Sequence, residues 1–315
     1  MNLTLNDTST KEISAALLGE EFSPLATGRV LTLLVVAEAR DDLDSILDTI
    51  RDAMREHPAR ILVLVRGDKA DDARLDANIY LDADSGANEM VVMNLHGELV
   101  DHLDSVVTPL LLPDTPIAAW WPRHIPASPV AEQISAIARR RITNTLRTTT
   151  KRPLELMVDS YEVGDSDMAW SRITQWRGIV ASALDRNPGA RIDAVRITGP
   201  SANPSVDLAA GWLASCLDVE VERLPAVGPS EIIRNVPITE LVISREDGEI
   251  AVTVVDERSV RVTAPQLPDS YVALTARTDA ECLAEELRHL DPDAPYARAL
   301  QGLSRVVSRG NGHTA

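Results

Sequence analysis

Short apolar runs alternate with segments of helical period through the first half of the chain, and this order limits the possible folds. Residues 29–36 form an apolar run typical of a buried strand, and apolar residues then recur every three or four positions from Leu43 to Met54. Pro58 should end that helix, because the residue before a proline is forced out of the helical region. Residues 61–65 supply a second apolar run. Strand, helix and strand in this order predict a βαβ unit with a right-handed crossover.

The rest of the first half continues the alternation. We predict two strands, a helix that Pro109 should kink or end, a further strand and a closing helix, at residues 77–81, 90–95, 99–110, 116–122 and 130–146. Residues 148–167 mix Thr, Pro, Asp and Gly without a clear period. We therefore place a domain boundary near residue 150, which separates an N-terminal domain, residues 1–150, from a C-terminal domain, residues 151–315.

The second half begins with the same alternation and then changes character. The predicted elements are a helix, a βαβ unit, four antiparallel strands and two helices, at residues 168–184, 192–198, 205–217, 219–223, 241–244, 250–255, 260–263, 272–276, 280–289 and 297–307. Asp247-Gly248 between the first two antiparallel strands is a strong hairpin signal. The predicted fold class is α/β, with two domains each built on βαβ units. An antiparallel β-meander and C-terminal helices extend the second domain.

The chain is acidic, with a formal net charge of −17 over 315 residues. Nucleic acids and anionic membranes attract Lys and Arg side chains, so this charge argues against both partners. The basic run Arg139-Arg140-Arg141 is interpreted as a solvated helix face. The longest apolar stretch is too short to span a membrane, and the N-terminus lacks a signal-peptide pattern. We therefore expect a cytoplasmic protein that binds neither nucleic acid nor membrane.

Two cysteines, Cys216 and Cys282, lie far apart and form no C-x-x-C pair or zinc-binding pattern. Cys216 stands among apolar residues, which predicts a buried thiol. Cys282 lies near a predicted helix start, where the helix dipole favours a thiolate. No metal site is expected from this pattern.

Known catalytic motifs are absent from the sequence. It contains no G-x-S-x-G elbow, P-loop, H-E-x-x-H or G-x-G-x-x-G pattern, so no catalytic residue and no cofactor are predicted. One loop between a predicted strand and helix carries Gly199, Ser201 and Ser205. Hydroxyl groups and N–H groups at a helix N-terminus suit an anion such as a sugar phosphate. Pro200 and Pro204 remove two donors, so a simple connector is the alternative interpretation.

Tryptophan and arginine side chains are the candidate partner contacts. Trp120 and Trp121 are adjacent on a predicted strand and must point to opposite faces, so one could lie near the surface unless helices cover both faces. Arg172, Trp176 and Arg177 share a short amphipathic helix. Trp and Arg dominate binding hot spots, which makes these five residues interface candidates.

Several uninterrupted blocks together resemble the OpcA family of actinobacteria. They include WSRITQWRG at residues 170–178 and VDLAAGWL at residues 206–213, and the other blocks lie at residues 28–33, 55–60, 109–122, 140–143 and 281–289. Their order along nearly the whole chain is that of the family.

The resemblance implies a glucose-6-phosphate dehydrogenase assembly protein. Such a protein is a non-catalytic partner that binds the dehydrogenase and supports its active form in the oxidative pentose phosphate pathway. The family offers no established catalytic residues to transfer. The alternative from the residues alone is an enzyme or metabolite sensor that binds a sugar phosphate through the loop around Ser201.

Overall fold

The computed structural model of the protein describes residues 2–19, 30–55, 58–82, 88–126, 132–185, 189–226 and 237–308. The strands are β1 Asn2–Leu5, β2 Leu31–Glu38, β3 Ala59–Arg66, β4 Arg74–Asp82, β5 Asn88–His96, β6 Ile117–Trp120, β7 Arg140–Thr143, β8 Asp165–Asp167, β9 Ile192–Gly199, β10 Val221–Pro225, β11 Glu240–Arg245, β12 Gly248–Asp256, β13 Ser259–Thr263, β14 Ser270–Ala273 and β15 Val306–Ser308. The α-helices are α1 Thr10–Leu17, α2 Leu43–Ala53, α3 Leu103–Val107, α4 Gln133–Ile137, α5 Pro153–Asp159, α6 Met168–Ser171, α7 Thr174–Leu184, α8 Pro204–Leu217, α9 Asp279–Arg288 and α10 Ala294–Gly302.

The chain forms two compact units, and each takes residues from two stretches of sequence. The first unit comprises Met1–Met168 and Asp279–Pro292, and the second comprises Ala169–Thr278 and Asp293–Ala315. The sequence prediction instead placed a single boundary near residue 150. The physical reason for the difference is that β8 joins the first sheet and α9 packs against α2.

The first unit is built on an eight-stranded sheet with the order β1-β4-β5-β3-β2-β6-β7-β8. Strands from β5 to β8 in that order run parallel, whereas β4 runs antiparallel to β5 and β1. One face is covered by α1, α3 and α4, and the other by α2 and α9. Strands β2 and β3 are buried over nearly their whole length, as parallel strands covered on both faces must be. The predicted unit of β2, α2 and β3 is thus confirmed.

The helix predicted over residues 130–146 is wrong. In its place the structure has the short helix α4 and then β7, which pairs in parallel with β6 and β8. The arginine triplet consequently lies at a strand and is not a solvated helix face. Arg140 and Ile142 alternate with Arg141 along β7, and Arg140 is buried with only 4% of its surface exposed.

The second unit is built on a seven-stranded sheet with the order β14-β13-β12-β11-β9-β10-β15. Strands β9 and β10 are parallel and joined by α8, and β15 extends this parallel part. Strands β11 to β14 form the predicted antiparallel meander. The hairpin signal is confirmed, because Arg245 pairs with Gly248, whose φ of +129° suits glycine.

Helices α8 and α10 approach each other closely at two glycines. A Cβ on Gly211 would stand 2.2 Å from the carbonyl oxygen of Ala299, and one on Gly302 would stand 2.0 Å from that of Gly211. Real Cβ atoms do not tolerate such distances, so only glycine permits this backbone contact.

In the same helix α8, Cys216 is exposed, and the prediction of a buried thiol there was wrong. The described residues include no helix long and apolar enough to cross a bilayer.

Candidate functional site

Trp120 and Trp121 enter opposite faces of the first sheet, as strand geometry requires. Trp120 packs in the apolar core beneath α2 and α9, and Trp121 packs in the core beneath α3 and α4. They are 2% and 1% exposed, respectively. Helices cover both faces, so neither indole lies on the surface from which a partner could be contacted directly.

The segment around α6 and α7 gathers aromatic and arginine side chains into what we call the Trp170 cluster: Trp170, Arg177, Asp293 and Tyr296. The guanidinium carbon of Arg177 lies 3.6 Å from the centroid of the Trp170 ring. The Trp170 indole N–H donates to Asp293 Oδ2 at 2.8 Å, and the other oxygen of Asp293 accepts from the N–H of Tyr296. The ring centroids of Trp170 and Tyr296 lie 6.0 Å apart. Asp293 therefore caps α10 and anchors Trp170 at once.

The other two candidates on this segment also serve packing. Trp176 is buried and meets Trp212 of α8 edge to face, with ring centroids 6.3 Å apart. Arg172 donates to the backbone oxygen of Arg277, and Arg277 donates back to the backbone oxygen of Ser171 at 3.0 Å. Arg172 and Arg177 are both partly exposed. The structure thus brings Trp176 and both arginines onto one segment and gives each an internal partner.

The loop between β9 and α8 is the predicted anion site, and the N–H groups of Asn203 and Ser205 are bonded within the loop. Asn203 N–H donates to the carbonyl of Pro200, and Asn203 accepts from Ser205 N–H at 3.0 Å through its side chain. Ser205 is completely buried, whereas Ser201 is exposed. A Cβ on Gly199 would stand 2.5 Å from the carbonyl oxygen of Pro237, so close packing explains this glycine.

A buried arginine fastens the same loop to the sheet. Arg223 of β10 donates to the carbonyl of Gly199 at 2.9 Å, to that of Pro200, and to Asp207 at 3.1 Å. Burial raises the pKa of Asp207, and the charge of Arg223 opposes that rise. The negative side chain of Asp207 occupies the first turn of α8, where an anion would otherwise be attracted.

Charged groups at the carboxyl ends of the first sheet are also tied to one another. Parallel sheets usually bind ligands at the carboxyl ends of two neighbouring strands whose following connections cross to opposite sides of the sheet order. In this sheet those two strands are β2 and β6. Beside that position, Arg66 at the end of β3 lies 3.0 Å from Glu132 and 3.8 Å from Glu38. These ion pairs link β3, β2 and the residue that precedes α4.

Further along that edge, Asp167 is completely buried and accepts three hydrogen bonds. The donors are the hydroxyls of Thr143 and Thr145, at 2.6 and 2.7 Å, and the Thr145 N–H at 2.9 Å. At the opposite, amino end of β7, Arg140 donates to Glu286 of α9 at 2.6 Å. Sequence reasoning missed both groups, because their members are far apart in sequence and the pattern predicts an exposed arginine triplet.

A groove runs along α7 and the end of the meander, and sequence reasoning missed it as well. Its wider part has a volume of about 380 Å³ and lies between Gln175, Gly178 and Ser182 of α7 and residues of β13 and β14. A second pocket of about 310 Å³ shares Ala183 with the first in its lining and includes Asp247. We call these two neighbouring pockets together the α7 groove.

Two family models match the chain and cover both halves. The model described as the glucose-6-phosphate dehydrogenase subunit N-terminal domain matches residues 50–158, and the one described as the C-terminal domain of the same subunit matches residues 163–300. The chain belongs to the OpcA family of glucose-6-phosphate dehydrogenase assembly proteins. The C-terminal family match includes both the α7 groove and the Trp170 cluster.

The comparison with curated proteins gave no match. A crystal structure described as glucose-6-phosphate 1-dehydrogenase from Mycobacterium avium aligns with a TM-score of 0.42 and 12% identity, over 88% of this chain and 93% of that chain. An oxidoreductase from Sinorhizobium meliloti aligns with a TM-score of 0.40 and 9% identity, over 88% of this chain and 95% of that one. At TM-scores this low, these likenesses support no conclusion about function.

Proposed function

We propose that the protein is a non-catalytic partner that binds glucose-6-phosphate dehydrogenase and promotes its active assembly or conformation. The observation that carries this proposal is the match of the two family models to residues 50–158 and 163–300. We place the activity in the cytoplasm, at the first oxidative step of the pentose phosphate pathway, where the dehydrogenase acts.

The polar geometry supports a role without bond making. At the carboxyl ends of the first sheet, Arg66 and Asp167 are held by neighbouring side chains. In the second unit Arg223 is likewise directed toward Asp207 and backbone carbonyls. These charged groups hold strands, loops and helices together. An enzyme would need at least some of them aimed at a substrate in a cleft.

A binding partner activates an enzyme through differential affinity. The protein would bind the competent conformation or oligomer of the dehydrogenase more tightly than the incompetent one. A tenfold shift in that equilibrium requires about 1.4 kcal/mol of coupling, which a few well-packed side chains can supply. The dehydrogenase must in turn bind the protein more tightly when it is in its competent state, since coupling is reciprocal.

The test combines co-purification with a coupled rate assay. The purified dehydrogenase is assayed at a fixed concentration while the protein is titrated, and the mixture is analysed by size-exclusion chromatography with light scattering. We expect co-elution together with a lower KM, a higher kcat or a larger active oligomer. Separate elution with unchanged kinetics would refute the proposal. A rate change at constant oligomeric state would identify a conformational effect, and a new oligomer would identify assembly.

The alternative of a sugar-phosphate sensor at the loop around Ser201 is not favoured. Its N–H groups at Asn203 and Ser205 are engaged within the loop, and the Ser205 hydroxyl is buried. A ligand that binds only the native state raises the melting temperature. Glucose 6-phosphate and 6-phosphogluconate should therefore leave the melting temperature of the isolated protein unchanged.

A further inference from the structure

In the part of the chain that the structure describes, no strand pairs with the outer edge of β14, at one end of the second sheet. β14 pairs with β13 and is last in the strand order. Its sequence, Ser270-Tyr271-Val272-Ala273, contains no charge and no proline, and Tyr271 is 66% exposed. Native sheets usually blunt their edges with charged residues, proline, a bulge or a very short strand, because an open edge can pair with another strand. β14 is short, at four residues, but it carries no charge and no proline, so its outer edge is suited to accept a strand.

The α7 groove lies beside this edge strand. Ser270 and Val272, which alternate with Tyr271, line it from the sheet side, and Gly178 and Ser182 line it from the helix side. A strand added to β14 would place every second side chain into the groove. A segment of about five residues spans about 17 Å, which suits a groove built from a helix and two short strands.

Gly178 gives an independent reason to expect an occupant. A glycine inside a helix costs about 0.5–1 kcal/mol relative to alanine. A Cβ at Gly178 would meet nothing within 4 Å, whereas a Cβ at Gly211 would meet the Ala299 carbonyl at 2.2 Å. Internal packing therefore explains Gly211 but not Gly178. Close approach of another backbone to α7 would explain it.

Charge decides against a second copy of this chain as the occupant. The chain carries a formal net charge of −17. Within the groove Asp247 is paired with Arg245, and the Arg261–Asp269 pair lies toward the Tyr271 face, so the net charge of the whole chain is what disfavours a second copy. Pairing two copies through β14 would bring two strongly acidic molecules together, whereas a basic segment of another protein would be attracted.

We propose that the α7 groove and the β14 edge bind an extended segment of glucose-6-phosphate dehydrogenase, with apolar side chains in the groove and basic residues flanking it. This proposal rests on the proposed function. The sixteen residues that line the two pockets are fewer than the roughly 20–30 residues that each partner contributes to a stable interface, so the groove anchors a wider contact. The complete dehydrogenase is therefore the right probe.

The test fills the groove from the helix side. Gly178→Leu and Ser182→Leu place a large side chain into it, and Ala181→Leu places the same side chain on an exposed part of α7 outside it. Binding of each variant to the purified dehydrogenase is measured by titration calorimetry, with melting temperatures as the check on folding. We expect Kd to rise about tenfold or more for the two groove variants and less than about twofold for the control. Amide exchange at residues 270–273 should slow in the wild-type complex.

Three results would overturn the proposal. Wild-type binding with unchanged Kd in both folded groove variants would reject the groove while leaving the proposed function intact. A free protein that is dimeric, and monomeric only in the groove variants, would assign the groove to a second copy. No binding of the wild-type protein to the dehydrogenase would reject the proposed function and the groove together.

Discussion

Arg140 donates a hydrogen bond of 2.6 Å to Glu286, although 146 positions separate the two residues in sequence. Both are nearly completely buried, with 4% and 3% of their surfaces exposed. Ser166 and the carbonyl of Asp291 accept two further hydrogen bonds from Arg140. This cluster holds α9 on the first unit, beside the apolar contacts of Cys282 and Leu283.

Glu286→Ala should destabilise the protein by about 3–5 kcal/mol, because it leaves the buried charge of Arg140 without its partner. The double variant Arg140→Met with Glu286→Leu should recover most of the loss, since an apolar pair of similar volume needs no desolvated charge. Urea unfolding measures both. Asp48→Ala breaks an exposed ion pair with Arg51 and serves as the control, with an expected cost below about 0.5 kcal/mol. A single-variant cost as small as the control's would contradict the role of the buried pair.

The glycines of the second unit should respond oppositely to the same substitution. Gly211→Ala and Gly302→Ala force α8 and α10 apart and should each cost about 1–3 kcal/mol. Gly178→Ala meets open space and should stabilise the protein by about 0.5–1 kcal/mol. Thermal unfolding followed by circular dichroism distinguishes the two classes. Equal changes in melting temperature for all three variants would show that helix propensity, and not packing, determines the effect of these substitutions.

Two aspartates should give opposite pH dependence. Burial raises the pKa of Asp207 above its ordinary value of 3.8, so its contribution to stability is fully present below that value and is lost as pH rises through the folded pKa. The backbone N–H of Asp7 lowers the pKa of Asp76, so its contribution is present above 3.8 and is lost as pH falls through the folded pKa.

Urea unfolding of Asp207→Asn and Asp76→Asn across the acid range tests these signs. On acidification, the wild-type protein should gain stability relative to Asp207→Asn and lose stability relative to Asp76→Asn. If the difference in unfolding free energy between wild type and variant changes with pH in the same direction for both variants, one of the two pKa directions is wrong.

The two thiols should differ in reactivity. Cys216 is exposed and Cys282 is completely buried in α9. A thiol reagent such as Ellman's should therefore label one cysteine rapidly in the native protein and the second only after unfolding. In Glu286→Ala, labelling of Cys282 should accelerate because α9 is held less firmly. Two rapidly reacting thiols in the wild type would contradict the packing of α9.

Arg177 tests whether the Trp170 cluster is a packing feature or a partner contact. Arg177→Met keeps the apolar stem but removes the cation over the Trp170 ring, and should cost about 0.5–2 kcal/mol of stability. Arg196→Met, at an exposed strand position, should change stability by less than about 0.5 kcal/mol. Loss of dehydrogenase binding without loss of stability would instead assign Arg177 to the interface.

The local pattern of residues along the sequence determined most of the secondary-structure elements of this protein. The spacing of apolar residues identified the βαβ segment of each half, the meander and α9, and Asp247-Gly248 identified a hairpin. The last helix was predicted over residues 297–307, but it spans Ala294–Gly302, and Val306–Ser308 form β15. The block WSRITQWRG contributed to the family assignment. Such features depend on residues close together in sequence, which is why periodicity reveals them.

The tertiary structure alone decided where the charged residues and the units belong. From the sequence, Arg140 is expected at the surface, but in the structure it is buried and bonded to Glu286. From the sequence, residues 279–292 are expected in the second domain, but in the structure α9 packs against α2 of the first unit. The α7 groove likewise exists only because a helix and the meander meet. Contacts between residues more than a hundred positions apart leave no periodic pattern in the sequence, so periodicity cannot predict them. Burial of a charge becomes stable only when its distant partner is in place.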